Sequence, residues 1–205
     1  LPEVIEDSIF VTSSLGIQYL WVDRYCINQQ DAADKHEQIS NMDVIYANAT
    51  ITIIAAAGSD PDYGLPGVNG RMRKLRPNLK MRKLNIYASL PQVYISVKKS
   101  KWATRGWTYQ EGLLSKRRLI FTDEQVHFDC NSICCAEESS LLLDRMFTSS
   151  SGNSMAHTEK GALPLKMLEP FDTSLISRLI AESSKRELGY PEDTLNAMQG
   201  IFRVF

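Results

Sequence analysis

Two tryptophans, an arginine and a glutamate lie within ten consecutive residues, from Trp102 to Glu111. Trp107 and Glu111 are four residues apart, so a helix here would carry an indole ring and a carboxylate on one face. A carboxylate held in a partly apolar site can bind a ligand or stabilise a positive charge that develops in a reaction. In the structural alternative, Glu111 and Arg105 pair with other charges and the tryptophans anchor the core. We favour the structural role for the tryptophans, and both roles stay open for Glu111.

A second group of polar residues follows the apolar segment Ile17–Val22 (IQYLWV), which we expect to be a central strand buried on both faces. Ligands of open α/β sheets collect at the carboxyl ends of strands, so Asp23 and Arg24 are candidate ligand-binding residues. Asp23 could bind a ribose hydroxyl or orient an arginine, and it could equally cap a local turn. Cys26 has no histidine near it in sequence, so we expect a buried small side chain rather than a nucleophile.

Alternating helical and strand patterns must position these residues. Apolar residues at helical spacing run from Val4 to Leu15 and again from Ile39 to Ala49, and the apolar run Thr50–Ala57 indicates another buried strand. The order predicts an α/β fold whose central sheet is mainly parallel, of the flavodoxin-like kind, with helices on both faces. The rule on carboxyl ends then places Asp23 and Glu111 in one shared cleft.

The rest of the chain extends this pattern. We expect a helix at Trp107–Leu114, short strands at Leu119–Phe121 and Gln125–Cys130, edge-strand segments within residues 85–97, and two helices in residues 171–205. Residues 146–162 contain SSSGNS and few apolar side chains, which is typical of a linker. The sequence therefore predicts an α/β domain at residues 1–145, a flexible linker at 146–165 and a C-terminal helical extension at 166–205.

Composition and charge exclude several classes of protein. The 23 basic and 24 acidic residues nearly cancel, unlike those of a dedicated nucleic-acid binder. The basic run Arg71–Lys83 could attract a phosphate-bearing ligand or nucleic acid, but without interleaved aromatics a solvated face is the default. No apolar run approaches the ~20 residues of a membrane span, so we expect a cytoplasmic protein without a membrane partner.

The cysteines offer one possible metal site. His127 with Cys130, Cys134 and Cys135 would supply four zinc ligands, but adjacent cysteines do not match the usual paired ligand spacing. Four irregularly spaced cysteines without a secretory context are more typical of reduced thiols than of a disulfide framework. We therefore predict no metal site.

Several segments together resemble the fungal heterokaryon-incompatibility (HET) domain. In the order of the family they are LPEVIEDSIFVTSSLGIQYLWVDRYCINQQ, MDVIYANATITIIAA, GLPG and RGWTYQEGLLSKRRLIF. The resemblance covers roughly residues 1–139, and GYPEDTLNAMQGIF resembles the segment that commonly follows the domain. We expect the family's N-terminal strand, with its Ser-Tyr-x-Trp-Gly-like motif, to be missing here. The resemblance implies an effector that triggers regulated cell death when genetically different hyphae fuse.

The HET domain is in turn distantly similar to Toll/interleukin-1 receptor (TIR) domains, some of which cleave NAD at the nicotinamide bond with one glutamate. In those domains a tryptophan precedes the glutamate by a few residues on a short helix, as Trp107 precedes Glu111 here. The similarity implies that Glu111 is catalytic. With NAD as the ligand, Trp107 could stack on nicotinamide or adenine, and Arg105 could pair with the pyrophosphate. NAD would then be the substrate, and we expect no cofactor.

Two other function classes stay open. A non-enzymatic module could signal by self-association or by binding other incompatibility proteins. A nucleic-acid-directed effector that uses Arg71–Lys83 is the weakest of the three, so we regard nucleic acid as an unlikely partner.

Overall fold

The computed structural model describes residues 1–82, 84–130, 133–137, 173–190 and 193–204. Its α-helices are α1 (Glu3–Ser14), α2 (Asp23–Cys26), α3 (Ala32–Ser40), α4 (Met42–Asn48), α5 (Val93–Lys99), α6 (Lys101–Thr104), α7 (Trp107–Leu114), α8 (Thr173–Ser183) and α9 (Asp193–Val204). Its strands are β1 (Thr52–Ala55), β2 (Asn78–Met81), β3 (Leu84–Tyr87), β4 (Arg117–Phe121), β5 (Val126–Cys130) and β6 (Cys134–Ala136).

The central sheet has four strands in the order β1-β4-β5-β6 and is mixed. β1 and β4 are parallel, whereas β4, β5 and β6 pair antiparallel. The α/β class is confirmed, but the prediction of a mainly parallel sheet is wrong for the described residues. Only residues 122–125 separate β4 from β5, and a parallel connection needs a crossover of about a dozen residues or more. The connection from β1 to β4 is such a crossover, and it contains α5, α6 and α7.

The predicted central strand Ile17–Val22 is also wrong, because this segment pairs with no strand in the described part of the chain. It is an extended connection from α1 to α2. The Ile17 N–H donates to the Thr12 carbonyl, and the Val22 carbonyl accepts from the Cys26 N–H at 2.8 Å. Tyr19 is 80% exposed, so the segment is not buried on both faces. An apolar run indicates burial, but it cannot show whether a partner strand lies beside it.

β1 lies within the predicted strand Thr50–Ala57, and packing on both faces of the sheet fixes its place. On one face, Ile54 belongs to a buried cluster that contains α5 side chains and Trp102 of α6. On the other face, Phe121 of β4 packs with α1 and with the fully buried Leu65. Helices therefore cover both faces, as the sequence predicts.

Local periodicity was misleading at two places. The helical stripe from Ile39 to Ala49 belongs to two helices, α3 and α4, which meet at Asn41. Residues 93–99 form helix α5 rather than an edge strand, and Val93 and Val97 are buried one turn apart. Valine favours strands in isolation, but here the three-to-four-residue spacing of the buried positions decides.

The glycine-rich loop Gly58–Gly70 is held in place by Asp7, a fully buried residue of α1. The Asp7 carboxylate accepts hydrogen bonds from the Leu65 N–H (2.8 Å), the Asn69 side-chain amide (2.8 Å) and the Arg71 guanidinium. Burial raises the Asp7 pKa, but these hydrogen bonds outweigh it and bring the pKa below its ordinary value. The loop is therefore a packed part of the domain.

The two predicted C-terminal helices are confirmed as α8 and α9, and both pack on α7. Their apolar cluster consists of Tyr109, Leu113, Leu175, Leu179, Met198 and Ile201. The predicted linker at residues 146–165 and the boundaries at 145 and 166 lie outside the described residues. Among the described helices, none has both the length and the apolar content needed to cross a bilayer.

Candidate functional site

Glu111 lies on α7, and a turn in the chain brings α6 against it. Ser100 caps α6 by accepting a hydrogen bond from the Ala103 N–H (3.2 Å). Arg105 then adopts an extended backbone (φ −81°, ψ 138°), which ends α6 and redirects the chain into α7. The side chains of Trp102 and Glu111, on successive short helices, are thereby in contact.

The Glu111 carboxylate is partly buried and accepts a hydrogen bond from the Trp102 indole N–H. Burial raises the pKa of Glu111 to about 7, although the Trp102 hydrogen bond and the positive charge of Arg105 lower it, and the negative charge of Asp23 raises it. Both protonation states are therefore populated at neutral pH. A group with this property can accept and release a proton under physiological conditions.

Tyr46 of α4 lies in the same electrostatic neighbourhood. Burial raises the pKa of its phenol, the charges of Glu111 and Asp23 raise it further, and the charge of Arg105 lowers it. Asp23, Tyr46, Arg105 and Glu111 thus act on one another although they come from three separate parts of the sequence.

Aromatic rings form one wall of this group. The rings of Trp21 and Tyr46 meet edge to face, with centroids 6.3 Å apart and planes at 87°. Trp107 packs into the same apolar cluster, which also contains Ile27 and Met42. Trp107 is therefore partly buried in the wall.

The predicted residues Arg24 and Cys26 lie on the exposed helix α2. Arg24 contributes its backbone N–H, which donates to the Asp23 carboxylate at 2.6 Å, and its guanidinium pairs with no described carboxylate. Asp23 is the first residue of α2, and its carboxylate gives that helix no N-terminal cap. The expectation that Cys26 is buried is wrong, because the residue is exposed and its sulfur accepts from the Val22 N–H (3.4 Å).

A separate cavity of about 700 Å³ opens at the carboxyl ends of the parallel strands β1 and β4. Its lining includes Lys74, Lys99, Lys101 and Asp123, whereas Asp23 and Glu111 do not border it. Asp23 and Glu111 are neighbours, but they do not open onto the cavity that the carboxyl-end rule identifies.

The connection between α8 and α9 binds the backbone on both sides of Arg105. The Glu187 N–H donates to the Thr104 carbonyl (2.6 Å), and the Glu187 carbonyl accepts from the Gly106 N–H (2.7 Å). Arg186 places its guanidinium 4.4 Å from the centre of the Tyr109 ring and donates to the Arg105 carbonyl (3.3 Å). The C-terminal helices therefore help to fix the position of Arg105.

The far end of α7 is fixed by Arg118, a buried residue of β4. Its guanidinium donates to the carbonyls of Gly112 (3.1 Å) and Ser115 (2.6 Å), which lie at the C-terminal end of the helix, and pairs with Asp129 of β5 at 3.4 Å. A cation at these carbonyls also interacts favourably with the helix dipole. The sheet thus holds the helix that carries Glu111.

Sequence reasoning did not assign Tyr46 or Trp21 to the site and gave Trp102 a core role. Tyr46 lies on an apolar helical stripe and Trp21 in an apolar run, so both had the pattern of core residues. Trp102 does belong to the core cluster, and its indole N–H nevertheless reaches Glu111. An indole N–H that is buried usually finds an acceptor, which is the signal that could have linked Trp102 to a nearby carboxylate.

The described part of the chain contains no group of three or more histidine, cysteine or acidic side chains placed to hold a metal ion. His127 is buried between strands, which lowers its pKa to about 4. Cys130, Cys134 and Cys135 are free thiols, each partly buried.

Residues 1–111 match the family described as heterokaryon incompatibility protein (HET), and the matched range includes Asp23, Trp102, Arg105 and Glu111. No curated protein and no solved structure matched the chain. The family match spans more than half of the 205 residues, and it contains the residues that surround the Glu111 carboxylate. The chain therefore belongs to the heterokaryon-incompatibility family.

Proposed function

We propose that this domain is an effector of regulated cell death in heterokaryon incompatibility and that it acts in the cytoplasm as an NAD glycohydrolase. Membership of the family supports the cell-death role. The proposed chemistry rests on one observation: Glu111 is a partly buried carboxylate that contacts an indole N–H and lies close to one cation and one further acid. The distant similarity of the family to TIR domains agrees with this chemistry.

In the proposed reaction, water attacks C1′ of the nicotinamide-bearing ribose while the bond from C1′ to the nicotinamide nitrogen breaks. Nicotinamide leaves with the bonding electron pair, and ADP-ribose and a proton are formed. Positive charge builds on the ribose in the transition state, and ionised Glu111 stabilises it. The fraction of Glu111 that is ionised rises through neutral pH, because its pKa is about 7.

The neighbouring residues have complementary roles in this proposal. Arg105 has an exposed side chain and pairs with the pyrophosphate, to which a guanidinium can donate two hydrogen bonds. Asp23 accepts hydrogen bonds from ribose hydroxyls, and the exposed part of the Trp107 ring stacks on a base. Arg24, whose guanidinium lies on exposed α2, contacts the outer part of the dinucleotide.

The test is to incubate the purified protein with NAD and to measure the nicotinamide released, with Glu111→Gln as the key variant. Glutamine keeps an acceptor for the Trp102 N–H but has no charge, so we expect hydrolysis to be lost without loss of folding stability. Glu124→Gln is the matched control, because Glu124 is also partly buried and borders the other cavity. Equal hydrolysis by the wild type and Glu111→Gln would refute the catalytic role.

A second candidate is a non-enzymatic module that signals by self-association. It is favoured by the outer face of α1, where Ile9 and Phe10 are about half exposed. The wild type would then form concentration-dependent oligomers in light scattering, Phe10→Ser would not, and neither would consume NAD. Killing of fungal cells would follow the oligomer and would be unaffected by Glu111→Gln.

A further inference from the structure

The hairpin formed by β2 and β3 has an apolar face that the described residues leave uncovered. Leu79 pairs with Ile86 and Met81 pairs with Leu84, so these four aliphatic side chains share one face. Each of them is between 51% and 68% exposed. Isolated two-stranded hairpins are marginally stable in water, and folded proteins rarely display such a continuous apolar face without a use for it.

The segment that contains the hairpin is rich in basic residues, three of which already pair with acids elsewhere in the chain. From Arg71 to Gln110 the sequence has eleven lysine and arginine residues and no acidic residue. Lys80 and Arg82 are exposed near the tip of the hairpin. At its base, Arg76 donates to the Ala88 carbonyl and lies 5.7 Å from the centre of the Tyr87 ring. A partner of this hairpin must therefore be apolar where it meets the aliphatic face and anionic around it.

We propose that the β2–β3 hairpin docks the domain onto an anionic lipid bilayer. The aliphatic face enters the interfacial region, and Arg82 at the tip of the hairpin pairs with lipid phosphate and carboxylate groups. Lys80 lies on the opposite face of the hairpin and adds only to its overall positive charge. Insertion of about 5–10 Å is enough for such peripheral binding. Cations of this kind are attracted by the surface potential of anionic lipids within about one Debye length.

The size and charge of the face favour a bilayer over the other partners. Two strands of four residues give a face only about 13 Å long, whereas a stable protein interface needs roughly 800 Å² from each partner. A second copy would bring like charges together, and cationic strands are a device that prevents such pairing. Nucleic acid would need aromatic rings for stacking, and the four side chains of the face are all aliphatic.

Flotation with phospholipid vesicles tests the proposal on the whole 205-residue chain. We expect the protein to float with vesicles of phosphatidylcholine and phosphatidylserine at low salt, and to stay behind with phosphatidylcholine alone or at high salt. Leu84→Ser should lower the bound fraction about tenfold, because one exposed leucine would otherwise be buried in lipid. Arg82→Gln should lower binding about fivefold on the anionic vesicles, and Lys80→Gln, on the opposite face of the hairpin, should lower it less.

The matched control is Leu195→Ser, which removes a leucine of similar exposure on α9 (74%, against 68% for Leu84). It should bind as the wild type does, as should Glu111→Gln, so the outcome is independent of the proposed NAD chemistry. Circular dichroism and melting curves confirm that each variant is folded. The proposal is overturned if the wild type does not bind anionic vesicles or if Leu84→Ser binds them as well as Leu195→Ser does. It is also overturned if the protein binds an acidic oligonucleotide or an acidic protein in preference to lipid.

Discussion

Gly106→Ala tests whether the C-terminal helices position the candidate site. Gly106 has a helical backbone (φ −63°, ψ −48°), so alanine is compatible with its conformation. A Cβ atom at this position would lie 2.3 Å from Leu188 Cδ2 and 2.7 Å from Leu188 Cγ. Leu188 cannot retreat freely, because the preceding residue, Glu187, is bonded to the backbone on both sides of Arg105.

The magnitude follows from two opposing contributions. Overpacking costs about 1–3 kcal/mol, whereas replacing glycine by alanine at a compatible position stabilises a protein by about 0.4–1 kcal/mol. We expect a net loss of about 1–2 kcal/mol in the free energy of unfolding. Displacement of residues 104–106 would also move Arg105 away from Glu111, which would raise the Glu111 pKa above its present value of about 7.

Urea denaturation measures the stability, and a carboxyl-carbon NMR titration measures the Glu111 pKa without any substrate. Leu188→Ala in the same chain should relieve the clash, so that Gly106→Ala becomes neutral or stabilising in that background. Gly189→Ala is the control, because a Cβ atom there meets nothing within 4 Å. The reasoning is refuted if Gly106→Ala is as stable as Gly189→Ala, or if its effect is the same with and without Leu188.

Three further predictions concern the charged groups that hold the site and its loop. Glu111 has a folded-state pKa of about 7 against an ordinary 4.5, so its contribution to the free energy of unfolding is fully present below pH 4.5 and is lost as the pH rises to about 7. Glu111→Gln should therefore gain stability over the wild type across this pH range, by at most about 3 kcal/mol in denaturation curves. Asp7→Asn should lower stability by roughly 1–3 kcal/mol in urea, because one acceptor of the Gly58–Gly70 loop is lost, and an unchanged midpoint would contradict this. Arg118→Met should cost about 3–5 kcal/mol, because it removes the guanidinium that pairs with the buried Asp129 carboxylate, and adding Asp129→Leu should recover part of the loss if the ion pair is the cause.

The sequence by itself determined the elements whose signal is local. Helical spacing located α1, α7 and the two C-terminal helices, and the apolar run Thr50–Ala57 located β1. The four-residue spacing of Trp107 and Glu111 placed both on one short helix, which the structure has. The family was also readable, because its motifs are short segments in a fixed order.

Only the tertiary structure decided how these elements meet. The direction of β5 depends on the turn at residues 122–125. Whether Ile17–Val22 becomes a strand depends on whether another strand lies beside it. Likewise, Trp102 and Tyr46 have the pattern of core residues, and only the packing of α4 and α6 against α7 brings both to Glu111. The hydrogen bonds of Glu187 with Thr104 and Gly106 join residues about eighty positions apart. Contacts at such separations leave no periodic signal in the sequence, because they depend on the whole path of the chain between the two residues.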